Sequence, residues 1–287
     1  MSKIAIVTDS VASIPDPMIE KLNIHTVAYY IHRGQEVLRD LVTIKRDEFF
    51  AWMKTAKEIP QTASPGPGDY LTLYEKLASE GTEDIISIHM SSKGSGAYQA
   101  ASAALPMLQE RLPKMRVEVI DTLNVSMCQG WIALEAARAV QEDKSVPEIL
   151  DTIYRLIPIT KMIQTADTLK YLYLGGRIGK ARHLVGSLLN IKPLISMENG
   201  LIVALGTARS QIKAYQSMAE MVEKSADNRQ IKIAYVHAAA KDEIERLREE
   251  IESRIQVVES FVTELSPALG VHSGPGTTGL CFYPVNK

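Results

Sequence analysis

Short apolar runs closed by polar residues alternate with longer helical patterns through the first half of the chain. Ile4–Val7, Ile85–Met90 and Val117–Ile120 end in Thr8-Asp9-Ser10, Ser91-Ser92 and Asp121-Thr122, and a helical pattern follows each. Apolar runs spaced by helices predict a largely parallel sheet covered on both faces. Ligands of such sheets bind beyond the carboxyl ends of the strands. Asp9, Ser10, Ser91, Ser92, Ser95 and Asp121 are therefore expected along one edge.

The pattern changes after Ile157-Pro158. Met162–Thr165 is followed by a Leu/Tyr-rich segment ending at Gly175-Gly176, and then by a helix expected near Lys180–Leu189. Asn199-Gly200, set between alternating apolar residues, predicts a two-residue hairpin. Helices are expected from about Ser210 to Ser225 and from about Asp242 to Arg254, the latter with Ile244, Leu247, Ile251 and Ile255 as its buried stripe. The expected architecture is an N-terminal α/β/α domain with a parallel sheet, residues 1–158, and a C-terminal α+β domain with a mixed sheet, residues 159–287. With no long linker between them, the two should abut.

Three polar turns carry the candidate chemistry. His272-Ser273-Gly274-Pro275-Gly276-Thr277-Thr278-Gly279 combines flexible backbone with an imidazole and hydroxyls. Ser91-Ser92-Lys93-Gly94-Ser95-Gly96 joins a strand to a small-residue helix from about Ser95 to Leu105, an arrangement that aims backbone N–H groups and a helix dipole at an anion. Pro60–Asp69 puts Thr62 and Ser64 on a proline-stiffened connector. Taken singly, such turns are also ordinary caps and connectors.

Together they carry a resemblance. Thr62-x-Ser64-Pro65, Ser91-Ser92-x-x-Ser95-Gly96-x-Tyr98-Gln99, Gly175-Gly176-Arg177-Ile178, Ile191-Lys192-Pro193 and His272-x-Gly274-Pro275-Gly276 are similar, in order and spacing, to the motifs of the DegV family, the fatty-acid-binding subunits of bacterial fatty acid kinase. The resemblance runs from Ile4 to Tyr283. It implies a tunnel between the domains for a long-chain fatty acid such as palmitate, stearate or oleate, with no cofactor. The carboxylate would be held by Thr62, Ser92, Ser95, Gly96 and His272. Arg177 and Arg209 would lie near the mouth, facing the kinase or an acyl phosphate, and Lys192 would be structural. The chain itself would be a carrier rather than an enzyme, with acyl-phosphate formation for phospholipid synthesis left to the kinase catalytic subunit.

Several positions depart from the pattern: Ala63 stands where a serine is usual, Gly94 and Ala97 replace leucine and threonine, and Thr207 replaces a basic residue. The donors Thr62, Ser92, Ser95 and His272 are retained. Candidate tail-lining segments are Leu184–Ile191, Leu194 and Met162, each of which suits the core equally well.

Composition narrows the alternatives. A chain of 287 residues, 46% hydrophobic and 23% charged, can bury a sizeable core without a membrane segment. A net charge of −2 gives no basic field for nucleic acid. Cys128 and Cys281 read as core thiols of a reducing compartment. Asp9 interrupts the first apolar run and no run of about 18 apolar residues occurs, so neither a leader nor a membrane span is expected. The cytoplasm is the expected location. The six histidines lack metal-ligand spacing, and there is neither a P-loop nor a Gly-x-Ser-x-Gly elbow. Two other readings stay open: a hydrolase built from Ser95, His272 and Asp9 or Asp121, and a phosphate-ligand protein using the Ser/Gly turns.

Overall fold

The computed structural model describes residues 3–185 and 191–285. The chain opens with β1 (Ile4–Asp9), a single 3₁₀ turn at Ser10–Ala12, α1 (Asp16–Leu22), β2 (His25–Val27), β3 (Tyr30–Arg33), β4 (Glu36–Arg39), α2 (Arg46–Met53) and β5 (Gln61–Ala63). It continues through α3 (Pro67–Ser79), β6 (Asp84–His89), α4 (Ala97–Arg111), β7 (Arg116–Asp121), α5 (Met127–Gln141) and α6 (Val146–Leu156). The second half holds β8 (Lys161–Thr165), α7 (Lys170–Leu174), β9 (Lys192–Glu198), β10 (Leu201–Ala208), α8 (Gln211–Ala226) and β11 (Ile231–His237). It ends with α9 (Lys241–Glu252), β12 (Val257–Glu264), α10 (Pro267–Ser273) and β13 (Thr278–Pro284).

The expected parallel sheet is present, in the order β2-β1-β6-β7. Its side chains alternate between faces. Ala5, Val7 and Ile85 pack with Tyr70, Leu77, Ala101 and Leu108 of α3 and α4, while Ile6, Ile86 and Ile88 pack toward α5. The chain leaves β1 toward β2 on one side and returns to β6 on the other. Such a switch in direction opens a crevice beyond the strand ends, where the polar turns lie.

The second sheet is mixed, in the order β10-β9-β8-β13-β11-β12, with β11 and β12 its parallel pair. Asn199 and Gly200, at φ 50° and 81°, close the β9–β10 hairpin in the left-handed geometry that its right-handed strand twist requires. α8 and α9 cover one face, with Ile244, Leu247 and Ile251 fully buried, as the helical spacing predicts. Of the expected helix at 180–189, Gly179–Leu184 forms a 3₁₀ helix, and 186–190 lie outside the described residues.

α5 separates the two sheets. Eleven of its fifteen residues are buried, so it is apolar on nearly every side, as a helix packed between two layers must be. Trp131 packs 5.1 Å from the Phe261 ring and 5.6 Å from Tyr283, and its indole N–H donates to the Cys281 carbonyl at 3.0 Å. Cys128 and Cys281 are both free and buried; burial, and then a hydrogen bond with Cys281, push the Cys128 thiol pKa up.

A small sheet and a short helix at the site were not foreseen. β3, β4 and β5 form a small antiparallel sheet in which Thr62 stands opposite Ile31. The strands are three or four residues long and carry His32, Arg33, Glu36 and Arg39, which hide any apolar alternation. The helix is α10, whose last two residues, His272 and Ser273, fall in the stretch read as a turn. Its start is set by Ser266, whose hydroxyl accepts from the Leu269 N–H, and by Pro267 in the first turn. α10 leaves the C-terminal half and docks on α2, β3 and β5, with Gly270 against the rings of Phe49 and Phe50.

Buried ionisable groups make stability depend on pH. Burial, with a smaller contribution from Lys241, lowers the His237 pKa from 6.5 to about 4, despite Glu264 lying 3.6 Å away. His237 is therefore neutral and accepts from the Ala240 N–H. Burial and then Arg177 lower His272 to about 4 as well. Below pH 6.5 the unfolded chain takes up protons that both folded histidines refuse, so acidification toward pH 4 destabilises the fold. Asp40 opposes this: burial raises it from 3.8 to about 6, so the folded state is the first to take up its proton. His25, also lowered by burial, adds to the loss and Glu264, raised by burial, opposes it; three histidines against two carboxyls leave a net loss on acidification. Urea midpoints at pH 6.5 and 4.5 should show it, and His237→Gln should shrink the difference. An equal or larger difference in that variant would remove His237 from the account.

Candidate functional site

Beyond the strand ends and between the two sheets lies a cavity of about 530 Å³. Its apolar wall includes Val11, Met90, Met162, Leu172, Ile195 and Leu269, and its polar part includes Thr62, Ser64, Ser92, Ser95, Gly96, Arg177 and His272. Strands from both halves and α10 supply these groups. The cavity exists only once the two halves have packed together.

Thr62 and His272, 210 residues apart, share a hydrogen bond of 2.7 Å between Oγ1 and Nε2. β5 places the threonine and the last turn of α10 places the imidazole. The buried Asp40 steadies α10, accepting from the Ala268 N–H at 3.1 Å and from the Ser10 hydroxyl at 2.6 Å. With its pKa lowered to about 4, His272 is neutral at pH 7. Its Nδ1 has no partner among the described residues. Gly175 leaves room for that edge of the ring, since a Cβ there would collide with Nδ1.

Ser95 shares a hydrogen bond of 2.6 Å with the Tyr29 hydroxyl. Tyr29 is 5% exposed, and burial, followed by the field of Asp9, raises its pKa well above the ordinary value. The phenol is therefore a standing donor. When it donates to Ser95 Oγ, the serine hydrogen is left free for a ligand in the cavity. Tyr29 carries no signal in the sequence, because an aromatic in the apolar stretch Val27–Tyr30 reads as core.

Beneath this site, Asp9 accepts from Gln129 at 2.9 Å and pairs with His89 Nδ1 at 3.1 Å; His89 Nε2 lies 2.7 Å from Ser87 Oγ, which accepts from the Tyr74 hydroxyl at 2.8 Å. Asp9, Ser87 and His89 are fully buried. Asp121 accepts from the N–H groups of Ser92 and Leu123. Both acids considered for a hydrolase are thus engaged elsewhere. Among the described residues neither is hydrogen-bonded to His272, and Ser95 meets Tyr29 rather than the imidazole.

The two arginines separate. Arg177 lines the cavity, is exposed, and donates to the Gly175 carbonyl at 2.6 Å. Arg209 is exposed where β10 gives way to α8 and is not among the lining residues. Lys192 forms an ion pair with Asp167. Met162 lines the cavity, whereas Leu194 packs in the core beneath α8, and much of 184–191 lies outside the described residues.

Gly274 locks the loop after His272. Its φ of 77° with ψ of 159° suits glycine, and a Cβ there would enter the Tyr171 ring. Gly274→Ala should destabilise the protein by about 2 kcal/mol or more through strain and overpacking. Urea unfolding measures this, and a loss near zero would mean that Tyr171 moves aside freely.

Comparison with known proteins identifies the family. The family described as "Uncharacterised protein, DegV family" matches residues 3–285. A DegV domain-containing protein of Halalkalibacterium halodurans is 34% identical over 286 residues, 99% of each chain. A DegV family protein from Thermus thermophilus, described for its fatty acid binding, superposes with a TM-score of 0.92 at 31% identity, covering 99% of this chain and all of that one. A stearic-acid-binding protein from Eubacterium ventriosum gives 0.90 at 25% identity, covering 99% and 98% of the two chains. In sequence along nearly its whole length, and in fold, this chain belongs to the DegV family.

Proposed function

We propose that the protein binds a long-chain fatty acid in this cavity and presents the carboxylate to a separate fatty acid kinase subunit, which forms the acyl phosphate. The supporting observation is the pairing of neutral donors with an apolar chamber: Thr62 on His272 and Ser95 on Tyr29, at a cavity walled by Val11, Met90, Met162 and Ile195. When His272 Nε2–H donates to Thr62 Oγ1, the threonine hydrogen also becomes free for a carboxylate. Neutral donors hold an acid without desolvating a permanent countercharge. Ser92 and Gly96 line the cavity on the same turn as Ser95.

Burial stabilises the tail by about 0.8 kcal/mol per methylene, on the order of 10 kcal/mol for a long chain before ordering costs. Stearate, bound by the Eubacterium relative, is a suitable first ligand, as are palmitate and oleate. Arg177, at the cavity and exposed, suits the phosphoryl group of an acyl phosphate, and Arg209 suits an acidic patch on the kinase. In this reading the carrier performs no chemistry itself and works in the cytoplasm beside an ATP-using partner.

Native mass spectrometry of the purified protein, followed by organic extraction, tests the reading. Close to one fatty acid per chain is expected. A protein that arrives empty and takes up no added fatty acid would refute it in favour of a phosphate ligand.

A further inference from the structure

We propose that Ser126 and the first turn of α5 form a second oxygen-binding subsite in the cavity, one that takes an acceptor oxygen of the acyl ligand. The inference rests on the fatty-acid reading and deepens it. α5 is fifteen residues long, so the aligned dipoles of its first turn make its start partially positive, although the Cys128 N–H already donates to the Val125 carbonyl at 3.3 Å. That start faces the cavity, which Val125 and Ser126 line. Gln164 of β8 also lines the cavity with a side-chain amide.

The serine supplies independent support. Ser126 is 3% exposed, and its hydroxyl has no hydrogen-bond partner among the described residues. A serine at this position ordinarily accepts from an N–H of the first helical turn. Ser126 does not, because its backbone sits at φ 57° and ψ −144°, which directs the side chain elsewhere. L residues seldom adopt that conformation, whereas glycine adopts it easily. The fold would therefore be better served by glycine at 126, and the hydroxyl makes no bond among the described residues. A buried, unpaired hydroxyl held in a strained backbone on a cavity wall is explained by a partner that arrives with the ligand.

The oxygen has two possible sources with the same chemistry: the carboxylate head group, or a hydroxyl carried along the acyl chain. Calorimetric titration of the delipidated full-length protein separates them. The probes are stearate and hydroxystearates bearing the hydroxyl near the head, the middle and the end of the chain. The proteins are wild type, Ser126→Ala and Ser126→Gly, the glycine variant being the one the backbone tolerates best. We expect both variants to bind the relevant ligand at least about fivefold more weakly. A loss confined to one hydroxystearate places the oxygen on the chain, and an equal loss for every ligand places it at the head group; either supports the subsite. Unchanged affinity for all ligands in both variants overturns it. A wild-type protein that binds none of them would instead overturn the fatty-acid reading.

Discussion

A Thr62→Val, Ser95→Ala double variant should lose about 100-fold in fatty-acid affinity while keeping its fold. Each hydroxyl donated to a carboxylate is a charge-assisted hydrogen bond, and deleting one costs about 1–3 kcal/mol. The two residues rest on different supports, His272 and Tyr29, so each deletion leaves the other support intact. They would meet on one ligand group, however, and the combined loss should fall short of the sum. Each substitution also leaves a partner unpaired, the buried Tyr29 hydroxyl or His272 Nε2, so stability should fall by about 1–3 kcal/mol at each site. Titration with stearate measures the affinity, and thermal unfolding checks the fold. Wild-type affinity in a folded double variant would remove both residues from the head-group site.

Trp131→Ala should be among the most damaging single substitutions for stability, at about 3–5 kcal/mol. The indole is fully buried in the layer between the sheets, tilted against Phe261 and edge-on to Tyr283, and it donates to the Cys281 carbonyl. Its removal opens a cavity that neither sheet can close without moving. Urea unfolding should show a lower midpoint, and a loss under about 1 kcal/mol would mean that the layers collapse onto the gap. Binding should weaken too, because α5 also carries Val125 and Ser126 into the ligand cavity at its start.

Sequence alone determined what depends on local pattern. The apolar runs at Ile4 and Ile85 set the two central parallel strands, since side-chain burial on both faces needs apolar residues in succession, while β7 at the edge keeps only Ile120 buried. Asn199-Gly200 set the hairpin because few residues accept two successive positive φ angles, and the stripe through Ile244, Leu247 and Ile251 set α9 by its helical spacing. The resemblance that the polar turns carry grouped Thr62, Ser92, Ser95, Gly96 and His272, all of which line one cavity.

Tertiary structure decided the rest. The pairing of Thr62 with His272 spans 210 residues and depends on α10 crossing from one half of the chain to dock on the other, which no local pattern encodes. α10 itself has seven residues, too few to show helical periodicity. Tyr29 became a donor only when burial and the neighbouring Asp9 held its proton in place. Ser126 looks like an ordinary cap in sequence, and only the backbone angles show that its hydroxyl turns away from the helix it begins. Local periodicity specifies elements because it acts over a few residues, whereas a binding site assembled from distant segments depends on packing between layers.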